Sequence, residues 1–386
     1  SPGTDLGDEK EFYRHYFLIE NNRRQDDYQP IISLARALSK RGEEFDRATQ
    51  EMLDVDQWMR AFAALSLSGA GDNFNAGSQH NALFYQRPSD DKMLLFPFDM
   101  DFAFIQSPSA SLSSNADLNR LRRNPNSDHA FLGHLHDIVS TSFNREYMER
   151  WVEHYSALLP GQNFSSILSW IDQRSSYVRR QLPDEVDFTI TSGDQSVSTL
   201  TTTVEGRGWI NVRELRLADS HESLPLQWLD TTRWQVTVPL RFGEQELQLE
   251  AIDFQGNLIG TDTVKVTSSA ADFDANGQVD GQDIDLLCGQ IRLAEFDPRF
   301  DLNADSLIDH ADFKRLIQDV LETGPGDANL DGQFDSSDLV HVFQEGIYED
   351  DVEFNAGWSQ GDWNCDGDFT SRDLVEAFQH GGYVSA

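Results

Sequence analysis

The chain has 386 residues, a formal net charge of −36 and only two cysteines, which is too long for one ordinary core and long enough for about three domains. Such acidity argues against nucleic acid as a partner, because phosphate binding needs a basic face, and no apolar run of ~18 residues is present to span a membrane. Cys288 and Cys365 alone supply neither a disulfide framework nor a cysteine zinc cluster. With Ser1 in first place and no signal peptide, the chain reads as a piece of a longer precursor.

Residues 1–184 read as mixed α and β. Helical apolar spacing runs through Trp58, Phe62 and Leu65, through Trp151 to Leu159, and through Ile167 to Leu182. Between them, Ala82 to Gln86 and Met93 to Phe98 flank the turn-rich Arg87-Pro-Ser-Asp-Asp-Lys92, a hairpin pattern. Around this hairpin stand Asp72, Asn81 and Asp99, in the order in which a protein kinase places its catalytic Asp, an Asn for one magnesium, and a metal-bridging Asp. By chemistry alone the pattern is shared with ordinary turns, where Asp and Asn are common.

Asp54-Val-Asp-Gln-Trp58, His80-Asn81 ahead of the Leu-Phe-Tyr strand, and Phe96-Pro-Phe-Asp-Met-Asp101 together resemble the spore-coat-protein-H (CotH) kinase family, from about Tyr13 to Pro183. Phe98 stands where that family has Trp. The resemblance implies an atypical kinase using ATP and magnesium on a protein substrate. Asp72 would be the catalytic acid, Asn81 and Asp99 metal ligands, and Asp101 a helper, with His80 open to substrate contact or to a structural hydrogen bond. A kinase also needs an N-terminal lobe with a glycine-rich loop, a Lys and its Glu partner. Only Lys10 and Lys40 precede Asp72, and Tyr13 to Ile19 reads as the last strand of such a lobe, so the fragment alone is expected to be inactive.

Residues 185–269 turn to Thr, Val and alternating strands such as Arg233 to Leu240 and Glu246 to Ile252, the spacing of a small all-β immunoglobulin-like sandwich. Trp209, Trp228 and Trp234 read there as core rather than as sugar-stacking rings.

From Ala271 onward there are 27 Asp and Glu against 5 Lys and Arg, and the acids sit among apolar residues at EF-hand loop spacing, in which positions one, three, five, nine and twelve supply oxygen and position six needs Gly. Four windows fit. The first holds Asp272, Asp274, Asn276, Asp280 and Asp283, and the third Asp327, Asn329, Asp331, Asp335 and Asp338. The second, Asp301, Asn303, Asp305, Asp309 and Asp312, has Ser306 at position six, and the fourth, Asp362, Asn364, Asp366 and Asp373, has Thr370 at position nine, so both are expected to bind more weakly. An apolar-periodic α-helix follows each loop, and Asp338-Leu-Val-His-Val-Phe-Gln repeats as Asp373-Leu-Val-Glu-Ala-Phe-Gln.

Asp at position twelve, and loop-then-helix order, look like dockerin type I repeats, arranged as one pair over 270–323 and another over 324–386. That resemblance implies up to four calcium ions and a cohesin-like partner met by Ser336, Ser337, Ser371 and Arg372. The expectation is thus a secreted, extracellular bacterial protein with a CotH-like kinase region. Its alternative is a non-catalytic calcium-dependent scaffold of a cell-surface or polysaccharide-degrading assembly.

Overall fold

The computed structural model describes residues 4–76, 81–162, 164–303 and 305–384. It is mixed α and β, and the chain forms two compact units: residues 1–191 with 205–236 and 249–262, and residues 192–204 with 237–248 and 263–386. The helices of the first unit are α1 (Lys10–Arg14), α2 (Gln29–Ser39), α3 (Glu43–Met52), α4 (Val55–Ser68), α5 (Ala116–Leu121), α6 (Pro125–Thr141), α7 (Arg145–Leu158) and α8 (Ser165–Arg179), with strands β1 (Ala82–Gln86) and β2 (Met93–Pro97) between α4 and α5.

Helix α4 organises this unit. Asp54 caps its N-terminus by accepting from the Gln57 amide at 3.2 Å, satisfying one of the first-turn donors that a helix leaves unpaired. Trp58, Phe62 and Leu65 share its buried face, and with Phe74, Phe131 and Leu135 they belong to one core. Gly69, at φ +59°, ends the helix in the left-handed conformation that glycine adopts at no steric cost. The expected hairpin forms, with Gln86 opposite Met93 and Ala82 opposite Pro97.

The Asp54 to Trp58 motif fastens α4 to β2. The Gln57 side-chain amide makes both bonds with the Leu95 backbone, at 2.6 and 2.9 Å, and Trp58 Nε1 donates to the Met93 carbonyl at 2.7 Å. Arg87, at the hairpin turn, pairs with Asp54 at 3.0 Å.

Two expectations need correction. Tyr13 to Ile19 is not a strand: α1 covers Tyr13 and Arg14 and buries the Tyr13 ring in a small core with Tyr28 and Ile32, and Glu11 pairs with Arg14 within the same turn. The first core also runs past residue 184, since Trp209 and Ile210 join it and Trp209 Nε1 donates to the Pro183 carbonyl at 3.0 Å.

The strand-rich region carries β3 (Thr189–Ile190), β4 (Gln195–Val197), β5 (Thr201–Arg207), β6 (Glu214–Leu217), β7 (Gln227–Trp228), β8 (Arg233–Pro239), β9 (Gly243–Ile252) and β10 (Leu258–Ser268). They form two four-stranded sheets, ordered β4-β10-β9-β6 and β3-β5-β8-β7. Burial alternates along β5 and β8 as period-two patterning requires. Trp209, Trp228 and Trp234 are all buried.

The second unit ends in α9 (Gly281–Leu293), α10 (His310–Arg315), which continues as a π turn over Leu316–Val320, then α11 (Ser336–Gln344) and α12 (Ser371–His380). Each starts right after an acidic loop, capped by Asp280, Asp309, Asp335 or Thr370 with a reciprocal Asp three residues on. Residues from all four segments, among them Ile284, Phe313, Val342, Trp358, Trp363 and Phe369, share one core. The two cysteines, expected to play no part, form a disulfide between Cys288 and Cys365. A separation of 77 residues hid that pairing in the sequence, whereas folding brings α9 against the last loop.

Candidate functional site

The first site is assembled at the open end of the β1–β2 hairpin. Asn81 precedes β1 and Asp99 follows β2, and the Phe98 amide donates to the Asn81 carbonyl at 3.1 Å, so the two lie one residue apart in register. Both have left-handed backbone, at φ +57° and +51°, a conformation uncommon outside glycine and characteristic of functional turns. Beyond Asp99 the chain returns along the end of α4: the Phe104 amide reaches the Ser68 carbonyl at 2.8 Å, and the Gly71 amide reaches Phe102 at 3.3 Å. This brings Asp72 into the same corner.

Asn81 Nδ2 donates to the Asp72 carbonyl and to Asp72 Oδ2, each at 3.2 Å. Among the described residues, Asp72 Oδ1 is buried without a hydrogen-bond partner. With its amide nitrogen committed, Asn81 keeps its side-chain oxygen for another ligand. Asp99 and Asp101 are exposed. A carboxylate and an amide oxygen are donors that suit a hard cation such as magnesium, and a buried carboxylate oxygen without a partner is what a polar atom awaiting a ligand looks like. His80 lies outside the described residues.

Beside this corner opens a cleft of about 1140 Å³, bounded by Phe17, Ile19 and Tyr28 on one side and by Leu83, Tyr85 and Phe96 on the other, with Asn81 on its lining. Glu20, Asn21, Asn22, Gln25 and Asp27 share this lining with the apolar rings, so the cleft is of mixed polarity with a flat apolar wall. Of the lysines before Asp72, Lys10 is paired with Asp26 at 2.7 Å, and Lys40 follows α2 near Glu44.

Sequence reasoning missed the supports of this site. Asn73 Oδ1 accepts from the Asn75 and Ala76 amides, Asn75 Nδ2 donates to Ser66 Oγ and to the Leu112 carbonyl, and Asn115 Nδ2 holds the Phe74 carbonyl at 2.8 Å. Arg174, almost fully buried, donates to the Ser66, Pro108 and Ala110 carbonyls. Burial lowers its pKa. The Asp72 turn is thus pinned on its inner side by neutral amides, while its outer side faces Asn81.

The acidic loops form the second candidate site. In each, the Asp at position twelve accepts amides from positions two and three with one oxygen and the position-nine amide with the other: Asp283, Asp312, Asp338 and Asp373 repeat this pattern at 2.6 to 3.3 Å. Position one accepts from position six, as Asp272 does from Gly277 at 3.0 Å and Asp327 from Gly332 at 2.8 Å. Ser306 makes the same contact with Asp301 at 2.9 Å, at φ +69°, so the serine keeps the turn at the cost of its Cβ. Thr370 replaces the capping carboxylate by a hydroxyl that accepts from the Arg372 amide.

Asp272, Asp274 and Asp283, and likewise Asp362, Asp366 and Asp373, bring three carboxylate oxygens within 4.8 Å of one another. Burial pushes Asp283, Asp338 and Asp373 up from the ordinary carboxylate range. Burial and then the charge of Asp373 push Asp362 to about 7. Asp362 Oδ1 is buried without a partner. Converging carboxylates with an orphaned oxygen fit a calcium ion by donor chemistry.

The chain belongs to the CotH kinase protein family, whose profile matches residues 4–210. No curated protein matches it. A solved structure of Clostridium thermocellum CbhA fibronectin(III)-like modules is 11% identical, covering 21% of this chain and 98% of that one with a TM-score of 0.17. At that score the likeness does not establish a shared fold.

Proposed function

We propose that this chain is a secreted calcium-binding protein whose first region is an atypical protein kinase, transferring phosphoryl groups from ATP to a protein hydroxyl. The observation that carries this reading is the contact between Asn81 and Asp72 beside the cleft, with an unpartnered Asp72 oxygen, in a chain of the CotH family. Asp72 would orient the acceptor hydroxyl and take its proton, while Asn81 and Asp99 would hold magnesium, with Asp101 beside them. Bound magnesium would neutralise charge developing between the phosphates. Leu83, Tyr85 and Phe96 would seat the base of the nucleotide.

In the same reading residues 185–269 are an immunoglobulin-like spacer, and the C-terminal loops are dockerin-type calcium sites that hold their unit folded. The disulfide supports an extracellular setting, because such bonds persist in oxidising compartments.

A second reading, a non-catalytic calcium-dependent scaffold, is favoured by a separate observation: α11 and α12 leave Val340, Phe343, Val375 and Phe378 about half exposed. Such apolar residues on helices beside Ser336, Ser337, Ser371 and Arg372 suit a cohesin-like partner. Magnesium-ATP titration of this chain and of the expected longer precursor, followed by phosphate incorporation into casein-like acceptors, separates the two. Incorporation that vanishes in Asp99→Ala supports the kinase, and absence of nucleotide binding by both forms leaves the scaffold.

A further inference from the structure

The fourth acidic loop differs from the others in its surroundings. Positions three to seven, Asn364 to Asp368, are buried or half-buried, whereas the same positions of the first loop, Asp274 to Gln278, are exposed. The cover comes in part from the segment just ahead of the loop, where the Ala356 amide donates to the Gly367 carbonyl at 2.9 Å and the Phe354 amide to Asp368 Oδ1 at 2.6 Å, and in part from the first half of the same C-terminal region. Arg292, near the end of α9, donates to the Cys365 carbonyl at 3.2 Å and lies 3.5 Å from Asp362 Oδ2. His310, opening α10, meets the Asn364 carbonyl at 3.0 Å. The disulfide then joins Cys288 of α9 to Cys365 itself.

Cys365 occupies position four, between the ligand positions of Asn364 and Asp366. The backbone there is left-handed in three loops, at φ +60° for Ala275, +58° for Leu330 and +64° for Cys365, a region that residues with a Cβ resist. Among these three, only the fourth loop has that position tied covalently to a distant helix. Asp362 is 2% exposed, its Oδ1 has no partner among the described residues, and its Oδ2 is fixed by the Gly367 amide at 2.8 Å. The carboxylate is therefore pre-aimed by a turn whose centre the disulfide holds.

We propose that the Cys288–Cys365 disulfide is a thiol-controlled lock on the fourth loop, which takes a calcium ion at full affinity only while the bond is closed. The inference rests on the calcium reading of the loops. Opening the bond removes the covalent tie on position four, which Ala275 and Leu330 do without at a similar φ; the fourth loop, with Thr370 in place of an Asp at position nine, has fewer ligands to compensate, so the cation meets a looser site. Reduction by a small dithiol transfers two electrons and two protons: the reagent closes to its own disulfide, and Cys288 and Cys365 become thiols. The other loops contain no cysteine, so one site of four responds. Linkage requires the reverse effect, in which calcium in the fourth loop protects the disulfide from reduction.

Terbium(III) luminescence excited through tryptophan gives a site-resolved test on the full chain. Trp363 neighbours ligand Asp362 in the fourth loop but also meets Phe334 of the third, so the signal lost in Asp373→Asn, which removes a fourth-loop ligand, identifies that loop's share. Reduction with dithiothreitol, or Cys288→Ser with Cys365→Ser, is expected to weaken the fourth-loop uptake about 10-fold or more, the scale of a lost outer-shell support, with the remaining uptake unchanged. An identical titration before and after reduction overturns the lock. If the oxidised protein takes up neither terbium nor calcium, the calcium reading itself fails. Should the serine variants not fold, the wild type still decides: calcium is expected to slow dithiothreitol reduction about 10-fold by the same coupling, and Asp373→Asn to remove that protection. An unchanged rate overturns the proposal.

Discussion

Asn81 spends one amide nitrogen on two oxygens of Asp72, the carbonyl and Oδ2, both at 3.2 Å. The contact fixes the carboxylate while leaving Oδ1 unpartnered. Asp72→Asn keeps the shape and removes the charge, so the fold should survive and the chemistry should not. In a form that carries the N-terminal lobe, phosphate incorporation is expected to fall about 10²- to 10⁴-fold, the range for a lost general base, with the melting temperature of this chain close to wild type. A variant as active as wild type would remove Asp72 from the reaction.

Gln57 offers a test of the scaffold beneath that site. Its side-chain amide is the partner of both the N–H and the carbonyl of Leu95, which is fully buried. Gln57→Ala leaves these two backbone groups unpaired, and each unmet buried group costs about 1–3 kcal/mol. Chemical denaturation should show the first unit destabilised by at least that amount, together with weaker magnesium-nucleotide binding as the hairpin mouth shifts.

The loops carry fifteen ligand carboxylates at the proposed sites. With calcium chelated, their mutual repulsion is unscreened, and metal binding energy is folding energy for sites of this kind. Chelation is expected to lower the melting temperature of the C-terminal unit and to reduce the helical circular dichroism of α9 to α12, while the first unit melts as before. A calcium-independent melting profile would contradict the metal reading of all four loops.

How much of this was legible depended on whether the signal was local. The loops could be read because their oxygens recur at fixed short spacing, and the hairpin because Arg87 to Lys92 can hardly be anything but a turn. Asp72, Asn81 and Asp99 could be ordered but not joined, since the hydrogen bond between Asn81 and Asp72 depends on where the hairpin lands. Asn73, Asn75 and Asn115 carry no local signal of their supporting role, because only the tertiary fold buries them. The same holds for Cys288 and Cys365, and for Trp209, whose strand-rich surroundings concealed its place in the helical core.

His129 provides a pH test distinct from the carboxylates. Its ring lies on Trp228, with centroids 3.4 Å apart, and its Nε2 meets the Val212 carbonyl at 2.8 Å. Burial pushes its pKa down from 6.5 to about 4, against smaller upward effects of the Val212 and Thr231 backbone. Above pH ~6.5 the imidazole is neutral in both folded and unfolded chains, and it has no effect on the pH dependence. Between about 6.5 and 4 the unfolded chain gains the proton and the folded one does not, so stability falls as pH falls, by roughly 3 kcal/mol across the window. Below about 4 both forms are charged and this contribution levels off. His129→Gln has no proton to gain in that window. Denaturation of wild type and variant at pH 7, 6, 5 and 4.5 is expected to show the difference between them shifting steadily against the wild type on acidification. A difference that stays constant with pH would mean that His129 is not buried neutral as the structure places it.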